Sequence, residues 1–238
     1  MALAFEEYME NVEALNGWDS FLIIGEAGRG KTNLAASAVH LPNVERVILV
    51  DIEGSAKGVG RLNPGVKVIK AYDLDTLDAV KDELLAKADE LEDTVVIFDT
   101  LNAGQKLKEK DAKADPRNRN NTYAVWDELA DWTLNWMRDF HNSPIRTIFI
   151  SHAQDIKNDK TGAIKTIPKI KGSAKEDAPT VPDIVGYLDY EATPEGLERV
   201  LFVGEAEGIV TKNRFGLPAK IYNPTMTEIE RLINESTK

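Results

Sequence analysis

The chain has 238 residues, of which 42% are hydrophobic and 29% are charged, a composition typical of a protein that folds around a substantial core. Its formal net charge of −11 argues against a protein that coats nucleic acid over its whole surface, although a local basic groove remains compatible with it. The absence of cysteine excludes disulfides, thiolate zinc sites and thiol nucleophiles.

A chain of this length has room for one α/β domain, and we predict a single domain over residues 1–238. We expect an N-terminal helix within residues 1–17 and a closing helix over residues 225–238. The N-terminus becomes acidic at once, and no apolar run approaches the roughly 20 residues that cross a bilayer. We therefore expect a cytoplasmic protein with no membrane partner.

Short apolar runs alternate with helical patterns along most of the chain, which predicts an α/β fold with a mostly parallel sheet flanked by helices. The last third instead predicts short antiparallel strands. Residues 102–121 are too polar for the core and predict an exposed loop or a mobile helix end. The predicted strands are 20–24, 46–52, 66–71, 94–99, 146–151, 185–191, 198–204 and 209–211, and the predicted helices are 31–40, 74–91 and 122–140.

A phosphate-binding loop follows the first predicted strand. Residues 25–32, with the sequence GEAGRGKT, match the pattern GxxxxGK(S/T). In this pattern glycines let backbone N–H groups surround a phosphate, Lys31 adds positive charge and Thr32 offers a hydroxyl to magnesium. A glycine-rich turn that merely joins a strand to a helix is the alternative, but the apolar strand before it and the helical run after it favour nucleotide binding. We predict that ATP with Mg²⁺ contacts Gly25, Glu26, Ala27, Gly28, Arg29, Gly30, Lys31, Thr32 and Asn33.

Acidic residues end two further predicted strands. Asp99 follows four apolar residues and is the second predicted magnesium ligand, beside Thr32. Asp51 and Glu53 lie on one face of their strand by period-two alternation, with Glu53 further out toward the phosphates. Glu53 is the candidate base that activates water, and a solvated acid in a turn is the alternative.

The phosphate loop, the strand that leads to Asp51 and Glu53, and the strand that ends at Asp99 together resemble the RecA-type core of P-loop NTPases. The resemblance implies ATP, not GTP, as does the lack of an Asn-Lys-x-Asp motif, and it implies that Glu53 is the catalytic base beside Lys31. His152 occupies the place of a γ-phosphate sensor in that family, although a lone histidine is often structural.

Residues 212–216, with the sequence KNRFG, resemble the motif of RadA/Sms proteins and the fingers of DnaB-type helicases. The resemblance implies that Lys212 and Arg214 reach the γ-phosphate of a neighbouring subunit, which requires self-association into a ring or filament. An ordinary basic turn is the alternative.

The segment from residue 167 to residue 187 is similar to phage nucleotide-binding AAA-type proteins, which include the RecA-like single-strand annealing ATPases of the fourth Sak group. That resemblance implies a recombination protein in the host cytoplasm that binds single-stranded DNA and promotes annealing or strand pairing, with a phage single-strand-binding protein as a further partner.

Two basic stretches, 102–121 and 152–180, correspond to the DNA-facing loops of that family, and the second has six lysines against two aspartates up to residue 175. Solvated faces explain them equally well. A nucleotide-switched assembly or regulatory protein is the alternative function. A small-molecule kinase is disfavoured because no arginine-rich lid follows the predicted strand 146–151, which leads to His152. The candidate DNA-binding residues are Lys106, Arg117, Lys165, Lys169, Lys171 and Lys175.

Overall fold

A computed structural model describes residues 18–119, 121–194 and 196–236. The predicted N-terminal helix lies outside these residues. The strands are β1 Ser20–Gly25, β2 Arg46–Asp51, β3 Lys67–Lys70, β4 Thr94–Asp99, β5 Arg146–Lys157, β6 Ile164–Pro168, β7 Ile184–Thr193, β8 Gly196–Phe202, β9 Lys212–Asn213 and β10 Lys220–Tyr222. The helices are α1 Lys31–Ala36, α2 Val59–Leu62, α3 Leu74–Ala86, α4 Leu101–Ala114, α5 Thr122–His141, α6 Ala174–Asp177 and α7 Met226–Ser236. None of the described helices combines the length and apolar composition that a membrane crossing needs.

The main path of the sheet has the order β10-β8-β7-β1-β5-β4-β2-β3. From β7 through β1, β5, β4 and β2 to β3, each strand is parallel to the next along this path. Strands β8 and β10 extend the sheet in antiparallel fashion, and β9 and β6 pair in the same way with β7 and β5. The predicted fold class, a mostly parallel sheet with antiparallel strands in the C-terminal third, is confirmed.

Helices cover both faces of the sheet, so alternate residues of β1 enter different cores. Leu22 and Ile24 pack in a cluster with residues of α3, α4 and α5. Phe21 and Ile23 pack in a second cluster with residues of α1 and α7. A strand that is buried on both faces needs apolar residues at every position, which explains the continuous apolar run before the phosphate loop.

The prediction of an exposed loop or mobile helix end over residues 102–121 is wrong for most of the segment, which forms α4. Its first turn is capped by the Thr100 side chain, which accepts a hydrogen bond from the Ala103 N–H. The polar residues Asn102, Gln105 and Glu109 are buried, because other parts of the chain supply their hydrogen-bond and ionic partners. The polar composition of this segment therefore did not indicate that it forms a packed helix.

The prediction of a loop directly after residue 151 is also wrong, because β5 continues to Lys157 and turns back through β6. The two strands pair from Ala153 opposite Pro168 to Lys157 opposite Ile164. The predicted strand over 209–211 is absent from the described residues, where β9 begins one residue later. The second basic stretch is thus partly a β-hairpin.

Candidate active site

The phosphate loop lies at the carboxyl end of β1 and leads into α1. Gly28 and Gly30 have φ angles of 78° and 89°, in the left-handed region that favours glycine. The loop therefore turns tightly before α1 begins at Lys31, and the N-terminal N–H groups of the helix lie beside the cavity that the loop borders.

Lys31 is buried, and its side chain reaches back to the first residues of this loop. Its Nζ donates to the carbonyl oxygens of Gly25 at 2.9 Å and Glu26 at 2.8 Å. Burial lowers the pKa of the Lys31 ammonium, whereas the carboxylates of Asp99 and Glu53 act in the opposite direction. The loop thus holds a partly desolvated cation, which suits a site for a polyanion such as a triphosphate.

The two predicted magnesium ligands are in direct contact. The Thr32 hydroxyl donates to Oδ2 of Asp99 at 2.8 Å, and the Ser55 hydroxyl donates to the same oxygen at 2.7 Å. Burial raises the pKa of Asp99, and these two hydrogen bonds oppose that rise. A hydroxyl and a carboxylate are hard oxygen ligands of the kind that Mg²⁺ takes beside phosphate oxygens, so the residues present fit this metal. No sequence motif signalled Ser55.

Glu53 and His152 meet at the same edge of the sheet. Oε2 of Glu53 lies 3.1 Å from Nε2 of His152, and Oε1 accepts a 3.3 Å hydrogen bond from Nδ2 of Asn102. The hydrogen bond with His152 is the largest influence on Glu53 and lowers the pKa of its carboxyl. The carboxylate is therefore kept ionised, as a proton acceptor must be.

Strand register explains why these side chains meet. Asp51 pairs with Asp99 across β2 and β4, and Asp99 pairs with Ile150 across β4 and β5. Asp51 itself shapes the loop after β2, because its Oδ1 accepts from the N–H groups of Gly54 at 2.8 Å and Ser55 at 2.9 Å. This carboxylate holds the turn that follows Glu53 and carries Ser55.

A cavity of about 410 Å³, the phosphate cavity, lies between the phosphate loop and the side chains of Glu53, Asp99 and His152. Its wall includes six of the nine predicted nucleotide contacts together with Glu53, Asp99 and His152. Three predicted nucleotide contacts do not line it, because Gly25 and Glu26 direct carbonyl groups to Lys31 and Arg29 forms ion pairs with Glu26 and Asp189. Lining residues that no sequence signal indicated are Ser55, Lys57, Gly58, Val59 and Thr100.

The predicted finger residues lie at the opposite edge of the sheet. Lys212 on β9 pairs with Val185 near the start of β7, whereas the phosphate loop follows the end of β1. The Lys212 ammonium donates to the carbonyls of Thr180 and Pro182, both at 2.6 Å. Arg214 lies 2.7 Å from the buried carboxylate of Asp183. Neither finger residue lines the phosphate cavity of its own subunit.

The six candidate DNA-binding residues separate into three pairs. Lys106 and Lys169 line a second cavity of about 520 Å³, which also contacts Glu53 and His152. Within the described residues neither lysine forms an ion pair. Lys165 and Lys175 line a smaller cavity of about 200 Å³ elsewhere. The charges of the last pair are engaged within the chain, since Lys171 lies 2.6 Å from Glu109 and Arg117 lies 2.5 Å from Asp115.

Comparison with known families agrees with this geometry. A family model described as an AAA domain matches residues 19–215, a span that runs from the first strand to the predicted fingers. A search of curated proteins gives no match. The matched region contains the phosphate loop, Asp99 and the strands that bring Glu53 beside them. On this match over most of its length, the chain belongs to the AAA domain family and is an AAA-type P-loop ATPase.

Proposed function

We propose that the protein hydrolyses ATP with Mg²⁺ and is a RecA-like recombination protein that binds single-stranded DNA and promotes annealing or strand pairing. The observation that carries the proposal is the convergence of Lys31, Thr32, Asp99 and Glu53 on one cavity. Two lysines without ion pairs among the described residues lie in the adjoining cavity, where an anionic strand would be close to the hydrolytic site.

The proposed reaction uses the chain's own groups in separate roles. Lys31 and the backbone N–H groups of the loop hold the phosphates, and Glu53 accepts the proton of the attacking water. A magnesium ion held by Thr32 and Asp99 would neutralise charge on the phosphate oxygens. The lowered pKa of Glu53 favours the ionised form that this role requires.

Glu53→Gln tests the assignment of the base. The variant should keep Mg-ATP affinity and lose turnover by at least about 100-fold, the usual contribution of a positioned general base. Glu26→Gln is the matched control, because Glu26 belongs to the same loop but is exposed and lines only the second cavity. Unchanged turnover in Glu53→Gln would remove Glu53 from the reaction.

The proposed site is completed by a neighbouring subunit. Support comes from the position of Lys212 and Arg214 at the edge of the sheet opposite the phosphate loop, since a head-to-tail assembly brings such edges together. Mixing Arg214→Ala with Lys31→Ala subunits should restore part of the ATPase activity through hybrid interfaces. Failure to restore activity in subunits shown to co-assemble would contradict the finger role.

Fluorescence anisotropy of labelled single-stranded DNA, with and without ATP across a salt series, tests the DNA part of the proposal. The double variant Lys106→Ala/Lys169→Ala should weaken binding and reduce the salt slope by about 0.7 for each lost phosphate contact. Arg117→Ala is the control, because that arginine is engaged with Asp115. The absence of salt-sensitive DNA binding in every nucleotide state would refute the DNA part of the proposal.

A nucleotide-switched assembly or regulatory ATPase is the second candidate. The observation that favours it is the ion pairing of Lys171 and Arg117, two of the six candidate DNA-binding residues, with acids of a chain whose net charge is −11. This candidate predicts an ATP-dependent change in oligomer mass by light scattering without any affinity for DNA. The anisotropy experiment therefore separates the two functions.

A further inference from the structure

The side chain of Asn102 connects two groups of the candidate active site. Its Nδ2 donates to Oε1 of Glu53 at 3.3 Å, and its Oδ1 accepts from the backbone N–H of His152 at 3.0 Å. Only one orientation of the amide satisfies both partners, because a carboxylate accepts and an N–H donates. Asn102 is 5% exposed, so water does not replace these partners easily.

The two oxygens of the Glu53 carboxylate are held by different residues. Oε1 receives the hydrogen bond from Asn102, and Oε2 lies 3.1 Å from Nε2 of His152. Because Asn102 also binds the backbone of His152, the three residues form a closed set of contacts between the segment after β2, the first turn of α4 and the middle of β5. This arrangement restricts rotation of the carboxylate about its own side-chain bonds.

Asn102 is itself fixed by regular structure. It lies in the first turn of α4, three residues after Asp99, and the Thr100 side chain caps this turn. A side chain on a capped helix is held more precisely than one on a loop. Asn102 does not line the phosphate cavity, although Glu53 and His152 do. Asn102 lines the second cavity instead, and its hydrogen bonds to Glu53 and His152 connect it to the phosphate cavity.

We infer that Asn102 is a positioning residue that holds Glu53 in the orientation for activating water. The inference rests on the proposed hydrolysis by Glu53 and adds a residue that acts only through it. A general base must lie within hydrogen-bonding reach of the proton that it takes, so loss of its orientation slows the chemical step. Binding of the nucleotide, which Lys31 and the loop provide, does not depend on this contact.

Asn102→Asp isolates the contact with Glu53. Aspartate has nearly the same shape and keeps an oxygen for the His152 N–H, but it places a second acceptor against the Glu53 carboxylate. The variant should lower kcat by about 100-fold, within the range attributed to a general base. The KM for ATP and the Kd for Mg-ATP measured without turnover should stay within about twofold of the parent values, because the phosphate loop is untouched.

Gln105→Glu is the matched control on the same helix. Gln105 is also a buried amide, and its Nε2 donates to Thr133 at 3.0 Å and to the Lys171 carbonyl at 3.2 Å. The exchange of amide for acid therefore also places a buried carboxyl against a carbonyl oxygen, one turn further along α4 from Asn102 and away from Glu53. A purely structural role for Asn102 predicts equal kcat losses in both variants, whereas a positioning role predicts a large loss only in Asn102→Asp.

The double variant Asn102→Asp/Glu53→Gln exchanges the donor and acceptor of the contact. It should recover the thermal stability that Asn102→Asp loses while remaining inactive, because the hydrogen bond is restored without a base. If Asn102→Asp does not fold, Asn102→Ser takes its place with the same expected loss of kcat and unchanged Kd.

A kcat within twofold of the parent, a loss explained by weaker Mg-ATP binding, or an equal loss in Gln105→Glu would each overturn the inference. Parent turnover and its loss in Glu53→Gln, measured in parallel, test the proposed function separately. If those two controls behave as expected and Asn102→Asp is fully active, only the positioning role fails.

Discussion

Asp99→Asn should stabilise the protein in the absence of ligand and remove the magnesium-dependent part of its stabilisation by Mg-ATP. The carboxylate of Asp99 is 2% exposed, and burial raises its pKa above the ordinary value of 3.8. A raised pKa in the folded state gives stability that is present below the unfolded pKa and is lost as the pH rises through the folded pKa. At neutral pH the ionised Asp99 therefore destabilises the fold, and a neutral amide relieves that cost.

The structure sets the size of both effects. The amide oxygen of asparagine can still accept from the hydroxyls of Thr32 and Ser55, so the gain is the relief of a buried charge, about 1 kcal/mol, or about 2–4 °C in Tm for a chain of this size. Mg-ATP at 100 times its Kd stabilises the parent by about 2.7 kcal/mol. The magnesium-dependent part of that stabilisation should disappear in the variant.

Thermal unfolding in EDTA, in Mg²⁺ and in Mg-ATP measures the two effects. Asp51→Asn is the control, because Asp51 is equally buried and is the register partner of Asp99. Its carboxylate accepts from three backbone N–H groups and the Tyr72 hydroxyl, so Asp51→Asn should destabilise by about 1–3 kcal/mol. A lower Tm of Asp99→Asn in EDTA, or a full Mg-ATP shift, would refute the reasoning.

Two other substitutions test the packing and electrostatics of the site. Gly104→Ala should lower the urea midpoint despite the better helix propensity of alanine, since the new Cβ would lie 2.7 Å from the Trp136 ring and overpacking costs about 1–3 kcal/mol. A higher midpoint would contradict the packing argument. His152→Asn removes the main influence that lowers the pKa of Glu53, so the acid limb of the kcat–pH profile should move to higher pH. An unshifted limb would show that His152 does not tune the base.

The predicted parallel strands were recovered from local pattern alone. The strand over Thr94–Asp99 has the predicted bounds, and β1 and β2 differ from their predictions by one residue at one end. Each of these strands is buried on both faces, so its apolar run is continuous and easy to recognise. Helix α4 was missed because its buried polar residues find partners in the segment after β2, on α5 and in the segment after β6, which local composition cannot reveal.

The basic stretches show the same limit for charge. Sequence counts treat all six lysines and arginines as equivalent candidates, yet Lys171 is paired with Glu109, which lies 62 residues away in the chain. Lys106 and Lys169 come from different stretches and meet in one cavity. Net charge along a sequence therefore does not show which cations remain available to a ligand.

The sequence by itself determined the phosphate loop and the strands that lead to Asp99 and Glu53, because spacing and periodicity are properties of neighbouring residues. Only the tertiary structure decided that the hydroxyls of Thr32 and Ser55 donate to the same carboxylate oxygen of Asp99, and that Asn102 forms a hydrogen bond with Glu53. These contacts depend on the register of parallel strands that are far apart in the chain. That register is set by packing on both faces of the sheet, which no local pattern contains.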